Sequence, residues 1–285
     1  MTYVSDAQVV LLGGIAGATI FLGLPVGRTQ RLSASTRAFL NALAIGILLF
    51  LLWDVLSQAI DPVEHALDAV ANTEHGTWGR FAELAATFTG CLGVGLLSLV
   101  YYDRWLAKRP RVRREGPGAA LAEDLRPTAP TLAHDASRLA LLIAVGIGFH
   151  NFSEGLAIGQ SAAKGEISLA LLLIIGFGMH NATEGFGIVA PMSAEGVRPS
   201  WSFLLGLGLI GGGPTFLGTI VGESLVNDTL SVAFLALAAG SILYVILQLV
   251  KMAFRMGYRE MLMWGILIGF LLGLATDFVL VAAGA

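Results

Sequence analysis

The chain has 285 residues, of which 55% are hydrophobic and only 13% charged, with a mean hydropathy of +0.76. A soluble domain of this length carries about twice that charge fraction, so composition argues against a water-soluble globular protein. The net charge of −3 says little, since charge placement matters more than its sum, and nothing in the sequence points to nucleic-acid binding; the single cysteine, Cys91, excludes an internal disulfide framework.

Eight apolar stretches reach the roughly 20 residues that a bilayer crossing requires. They lie near 7–27, 38–60, 81–102, 137–161, 167–191, 200–222, 230–250 and 260–283. The first has no basic region ahead of it and follows Asp6, so it reads as a retained span rather than a cleaved signal. Asp54 sits in the second, in FLLWDVLSQ, close to where that helix leaves the membrane. It reads either as a cation ligand on the outer approach or as a hydrogen-bonded acid. Beyond it, Asp61, Glu64, His65, Asp68, Glu74 and His75 form a solvated acidic loop where divalent cations would gather.

After the third span, residues 103–136 are first basic and then rich in Pro, Gly and Ala, as expected of a flexible cytoplasmic linker. That linker divides the chain into 1–102, with three spans, and 137–285, with five. The sixth span contains Gly211-Gly212-Gly213-Pro214-Thr215, suited to a hinge, a close helix contact or exposed carbonyls. Gln248 in the seventh span reads as a pathway or packing amide, and Asp277 in the eighth as a structural acid.

Orientation follows from the basic residues. Fifteen of the seventeen lysines and arginines fall in loops on one side, among them Arg28, Arg37, the cluster Lys108–Arg114, Arg198, Lys251 and Arg255. Only Arg80 and Lys164 fall on the other. The expected fold is therefore an all-α polytopic membrane protein, a bundle of eight transmembrane helices with both termini outside. Trp78, Tyr101, Tyr102, Trp105, Trp201 and Tyr258 fit interfacial belts at the span ends.

The fourth and fifth spans carry the chemistry. Residues 148–159 read GFHNFSEGLAIG and residues 178–189 read GMHNATEGFGIV, so Gly-x-His-Asn-x-(Ser/Thr)-Glu-Gly occurs twice. In a helix, His150 and Glu154 share a face with Asn151 on its flank, and His180, Glu184 and Asn181 repeat the arrangement. An ionisable group at the bilayer centre costs about 2.5–3.5 kcal/mol on insertion scales. A single His–Glu pair could join two helices by a hydrogen bond; two matched sets, each with an adjacent Asn, call for a cation between them. Imidazole nitrogen with carboxylate and amide oxygen, and no thiolate, suits zinc, iron(II), manganese or cobalt. Three classes stay open on the residues alone: a carrier, a membrane-embedded metalloenzyme using the same His/Glu site, and a non-selective ion channel. The enzyme class wants further ligands, whereas His65, His75 and His134 all fall in loops.

The paired motifs in adjacent spans, the eight spans and the long loop after the third resemble the ZIP family of divalent metal transporters, in a divergent prokaryotic-type form. The resemblance implies that His150, Asn151, Glu154, His180, Asn181 and Glu184 line a transport site near mid-membrane. It implies that a divalent metal is the transported substrate and not a prosthetic group, with zinc foremost and iron, manganese, cobalt or cadmium as alternatives. It further implies uptake toward the cytoplasm by alternating access, no enzymatic activity and a cell (inner) membrane location, and it leaves a homodimer open. This chain departs from the family pattern in three places. Ser153 and Thr183 stand where many members have proline; each can bend its helix by bonding back to a carbonyl, or reach the metal. Gly213 stands where many relatives have a glutamate, which favours one metal over two. Gln248 stands where many relatives have an acid. Protonated imidazole has no lone pair for a metal, so uptake is expected to fall as pH drops from about 7.5 to about 5.5. A flat pH profile of uptake across that range would contradict the histidine-based site.

Overall fold

The computed structural model describes residues 6–29, 33–72, 76–107, 129–163, 167–224 and 227–283. Among these every regular element is helical. The first span is composite: α1 (Asp6–Ala18), a four-residue continuation (Ile20–Gly23) and a 3-10 turn (Leu24–Arg28). Pro25 in that turn has no N–H to donate to a preceding carbonyl, which favours ending the α-helix there. The remaining helices are α2 (Ala34–Ala71), α3 (Trp78–Ala107), α4 (Ala129–Ala163), α5 (Ile167–Ala194), α6 (Trp201–Ser224), α7 (Asp228–Met256) and α8 (Arg259–Ala283). Seven spans among the described residues are long and apolar enough to cross a membrane. The chain is thus an all-α polytopic membrane protein. Large apolar side chains such as Leu97, Leu209, Trp264 and Leu271 are exposed, as lipid-facing residues would be, and the six expected belt aromatics are exposed as well.

Two boundaries differ from the sequence expectation. The second span was expected to end near residue 60, yet α2 runs unbroken through Pro62 to Ala71. At 1.5 Å per residue its 38 residues extend about 57 Å, well beyond the roughly 30 Å hydrocarbon core. Asp61, Glu64, His65 and Asp68 therefore ride on a projecting helix and not a loop, while Glu74 and His75 lie outside the described residues. Asp61 accepts a contact from His65 Nδ1 at 3.2 Å, an i,i+4 pair that belongs to a helix surface. Similarly, α4 begins at Ala129, so the last part of the expected linker 103–136 is helical; residues 108–128 lie outside the described residues.

Contacts between loops agree with the expected alternation of spans. Arg28, at the end of the first span, donates to the Pro199 carbonyl at 2.5 Å and lies 4.4 Å over the Trp201 ring. Arg80, in the first turn of α3, reaches Thr229 at 2.7 Å and Asp228 at 3.4 Å. The first and fifth connections thus meet at one end of the bundle, and the second and sixth at the other.

Close backbone approach sorts the helices into two sets. A Cβ on Gly155 of α4 would collide with the Thr215 carbonyl of α6, and one on Gly185 of α5 with the Ile20 carbonyl of the first span. In the other set, Gly46 of α2 abuts the Ile266 carbonyl of α8, and Gly95 of α3 the Leu237 carbonyl of α7. Such backbone-to-backbone seating needs small residues. Between α4 and α7, which join the two sets, the corresponding glycine, Gly146, is seated less tightly: a Cβ there would meet the Ser241 Cβ at 3.2 Å and the Ser241 backbone carbon and oxygen at 3.7 and 3.9 Å. The set of α1, α4, α5 and α6 carries both motifs. Gly46→Leu should lower the thermal midpoint of detergent-purified protein, since overpacking costs about 1–3 kcal/mol. Gly90→Leu, where a Cβ meets nothing within 4 Å, should leave it unchanged; equal midpoints for both variants would contradict this packing.

Candidate metal site

The two motif helices bring their acids to one histidine. His150 Nε2 lies 3.1 Å from Glu154 Oε1, one turn along α4, and 3.9 Å from Glu184 Oε1 of α5. All three side chains are enclosed, at 2%, 5% and 0% exposure for His150, Glu154 and Glu184. Ligands around one zinc at about 2.0–2.2 Å stand roughly 3–3.5 Å apart in tetrahedral geometry. The first spacing falls within that range and the second slightly above it, so a cation could sit between these side chains.

The motif asparagines are held by backbone carbonyls of helices outside the motif pair. Asn151 Nδ2 donates to Gly211 O of α6 at 2.9 Å, and Asn181 Nδ2 donates to Ala16 O of α1 at 3.1 Å. The Asn181 side chain also lies within hydrogen-bonding reach of Glu154, and that of Asn151 within reach of Glu184. Asn151 Oδ1, Asn181 Oδ1 and Glu154 Oε2 are buried and receive no hydrogen bond among the described residues. Leaving a buried acceptor unmet costs about 1–3 kcal/mol. Unmet acceptors in an enclosed site favour positive charge there.

The other expected residues divide. The side chain of His180 lies outside the described residues; its backbone occupies α5 one turn before Glu184. Among the described residues no set of three His, Cys, Asp or Glu side chains is arranged to hold a metal as it stands. Ser153 Oγ donates to Phe149 O at 3.3 Å, the back-bonding that bends a helix. Thr183 is half-buried beside Glu184. Asp54 of α2 is half-buried, accepts from Gln58 Nε2 at 2.9 Å and lies within electrostatic reach of both His150 and Asp277. Gln248 is half-buried in α7. Cys91 is half-buried in α3.

Helix α6 resolves what its three glycines do. Gly211 supplies the carbonyl that holds Asn151, and Gly212 beds against the Gly17 carbonyl of α1. Gly213 points the other way: a Cβ there meets nothing within 4 Å, and Leu209, Phe216, Leu217 and Ile220 on the same side are exposed. The role of α1 had no signal in the sequence, because a backbone carbonyl in an apolar helix carries no residue signature.

A family model described as ZIP Zinc transporter matches residues 122–276, more than half of the chain and both motifs. The chain belongs to that family. A comparison with curated proteins finds no match. As a ZIP member it is a multi-pass membrane protein of a family that transports divalent metal cations, a transporter family and not an enzyme family. The outward register of Gly213 bears on the number of metals. Gly213→Glu should leave the zinc bound per chain, measured by atomic emission on dialysed protein, unchanged from wild type. A doubled stoichiometry would contradict this register.

Proposed function

We propose that this chain carries zinc toward the cytoplasm across a cell (inner) membrane by alternating access, with His150, Glu154, His180 and Glu184 as principal ligands. Asn151 and Asn181 serve as auxiliary oxygen ligands or as orienters of the carboxylates. The observation that carries this reading is the convergence of His150 Nε2 with Glu154 and Glu184 from two helices, at 3.1 and 3.9 Å, in a fully enclosed setting. The donor set is nitrogen and oxygen only, which suits zinc, iron(II), manganese and cobalt and lets a cation leave more readily than thiolates would.

Alternating access is supported by the two helix sets. Both motifs lie in the set of α1, α4, α5 and α6, so the site would move as a unit against α2, α3, α7 and α8. Asp54 belongs to the second set, and its electrostatic reach to His150 suits a ligand that hands cations to the site from outside. Ser153 acts by bending α4, and Gln248 is a packing amide. Orientation with both termini outside follows the distribution of basic residues.

The test is uptake of radioactive zinc into proteoliposomes, with a panel of unlabelled competing metals. Wild type should give saturable uptake blocked by a subset of divalent metals, and Glu154→Ala with Glu184→Ala should reduce it at least about a hundredfold, since two charged ligands of about 1.5–3 kcal/mol each are removed. Uptake that is unsaturable would indicate a channel; saturable uptake unaffected by both substitutions would refute the site.

A further inference from the structure

We propose that Thr19, at the break in the first span, is a positioning residue that sets the rotation of α5 and so aims Asn181 and Glu184 at His150. The inference rests on reading the α4–α5 motifs as the transport site, and goes beyond it by assigning a role to a residue outside both motifs.

Thr19 Oγ1 lies 2.5 Å from Gly178 O of α5 and 2.7 Å from Ala16 O of its own helix. A hydroxyl has one proton, so it donates to one of these carbonyls at a time. Ala16 O is already supplied, by Asn181 Nδ2 at 3.1 Å and by the Thr19 backbone N–H at 3.2 Å. The hydroxyl proton is therefore directed across to Gly178 O. Two crossed hydrogen bonds result, one donated from α1 to α5 and one from α5 to α1.

On α5 the two attachment points, Gly178 and Asn181, are three residues apart and span nearly one turn. Two points on one turn fix the helix about its axis as well as its distance from α1. Packing alone fixes only the distance. Rotation is what decides whether Asn181 Oδ1 and the Glu184 carboxylate face His150. The chain just after Thr19 continues the same contact: Gly23 beds against the Ala182 carbonyl and the Phe186 N–H, and Gly185 against the Ile20 carbonyl, bracketing Glu184. The second acceptor, Ala16 O, also couples the two residues.

The test is zinc uptake kinetics in proteoliposomes reconstituted with full-length protein. Thr19→Val, which keeps the shape and removes the hydroxyl, should raise KM about three- to tenfold, the factor one hydrogen bond carries, with Vmax per reconstituted transporter held within about twofold. Thr19→Ser should restore KM. Thr19→Ala tests the same point without a branched side chain, and zinc titration of all three variants in detergent should move Kd by the same factor. An unchanged KM and Kd in the Val and Ala variants would overturn the proposal. So would a fall in Vmax alone, or a Ser variant as impaired as Val, since both indicate a role in packing only. Failure of the underlying site reading registers separately, as full uptake by Glu184→Ala whatever Thr19 does.

Discussion

Two carboxylates and an imidazole enclosed between apolar helices set the terms for the rest of this molecule. Glu154, Glu184 and His150 are buried to within 5% of full enclosure, where a lone charge is expensive and a shared cation is not. Each needs an opposing charge or a hydrogen bond. The histidine gives part of this, lying within 4 Å of both acids. The asparagines Asn181 and Asn151 lie within hydrogen-bonding reach of the two carboxylates. On the proposed reading a cation would lower the energy of this site, and protons would compete for the same lone pairs.

Such a cluster is useful only if the two helices that supply it hold a fixed relation. That task falls to elements with no chemistry of their own. α6 offers the Gly211 carbonyl to Asn151, α1 offers the Ala16 carbonyl to Asn181, and glycines let these backbones approach closely enough for both bonds to form. The same close contacts bind α1, α4, α5 and α6 into one body. At the α4–α7 junction with the other four helices, Gly146 and Ser241 approach less closely. The proposed alternating access would use a difference of this kind between tightly and less tightly seated helices.

Much of this was legible in the sequence, and the limits have physical causes. Apolar length gave the eight spans, and the four-residue spacing placed His150 and Glu154 on one face, as found. The extension of α2 to Ala71 was not legible, because the span signal ends where residues become polar while the helix does not. The helical start of α4 at Ala129 was hidden for the same reason. The register of α6 was also beyond reach. Three consecutive glycines have no preferred face, and only packing against α1 and α4 turns Gly211 and Gly212 inward and Gly213 outward. The break at Thr19 is similarly silent: a threonine in an apolar run reads as an ordinary small residue until its partner across the interface is known.

The claim most exposed to refutation is that the α4 and α5 motifs themselves coordinate the metal. Zinc K-edge X-ray absorption on the zinc-loaded protein tests it without reference to transport. The account predicts a shell of nitrogen and oxygen at about 2.0–2.2 Å with imidazole scattering and no sulfur, and a loss of part of that imidazole signal in His150→Ala. A sulfur shell from Cys91, or imidazole scattering that persists unchanged in both His150→Ala and His180→Ala, would contradict it.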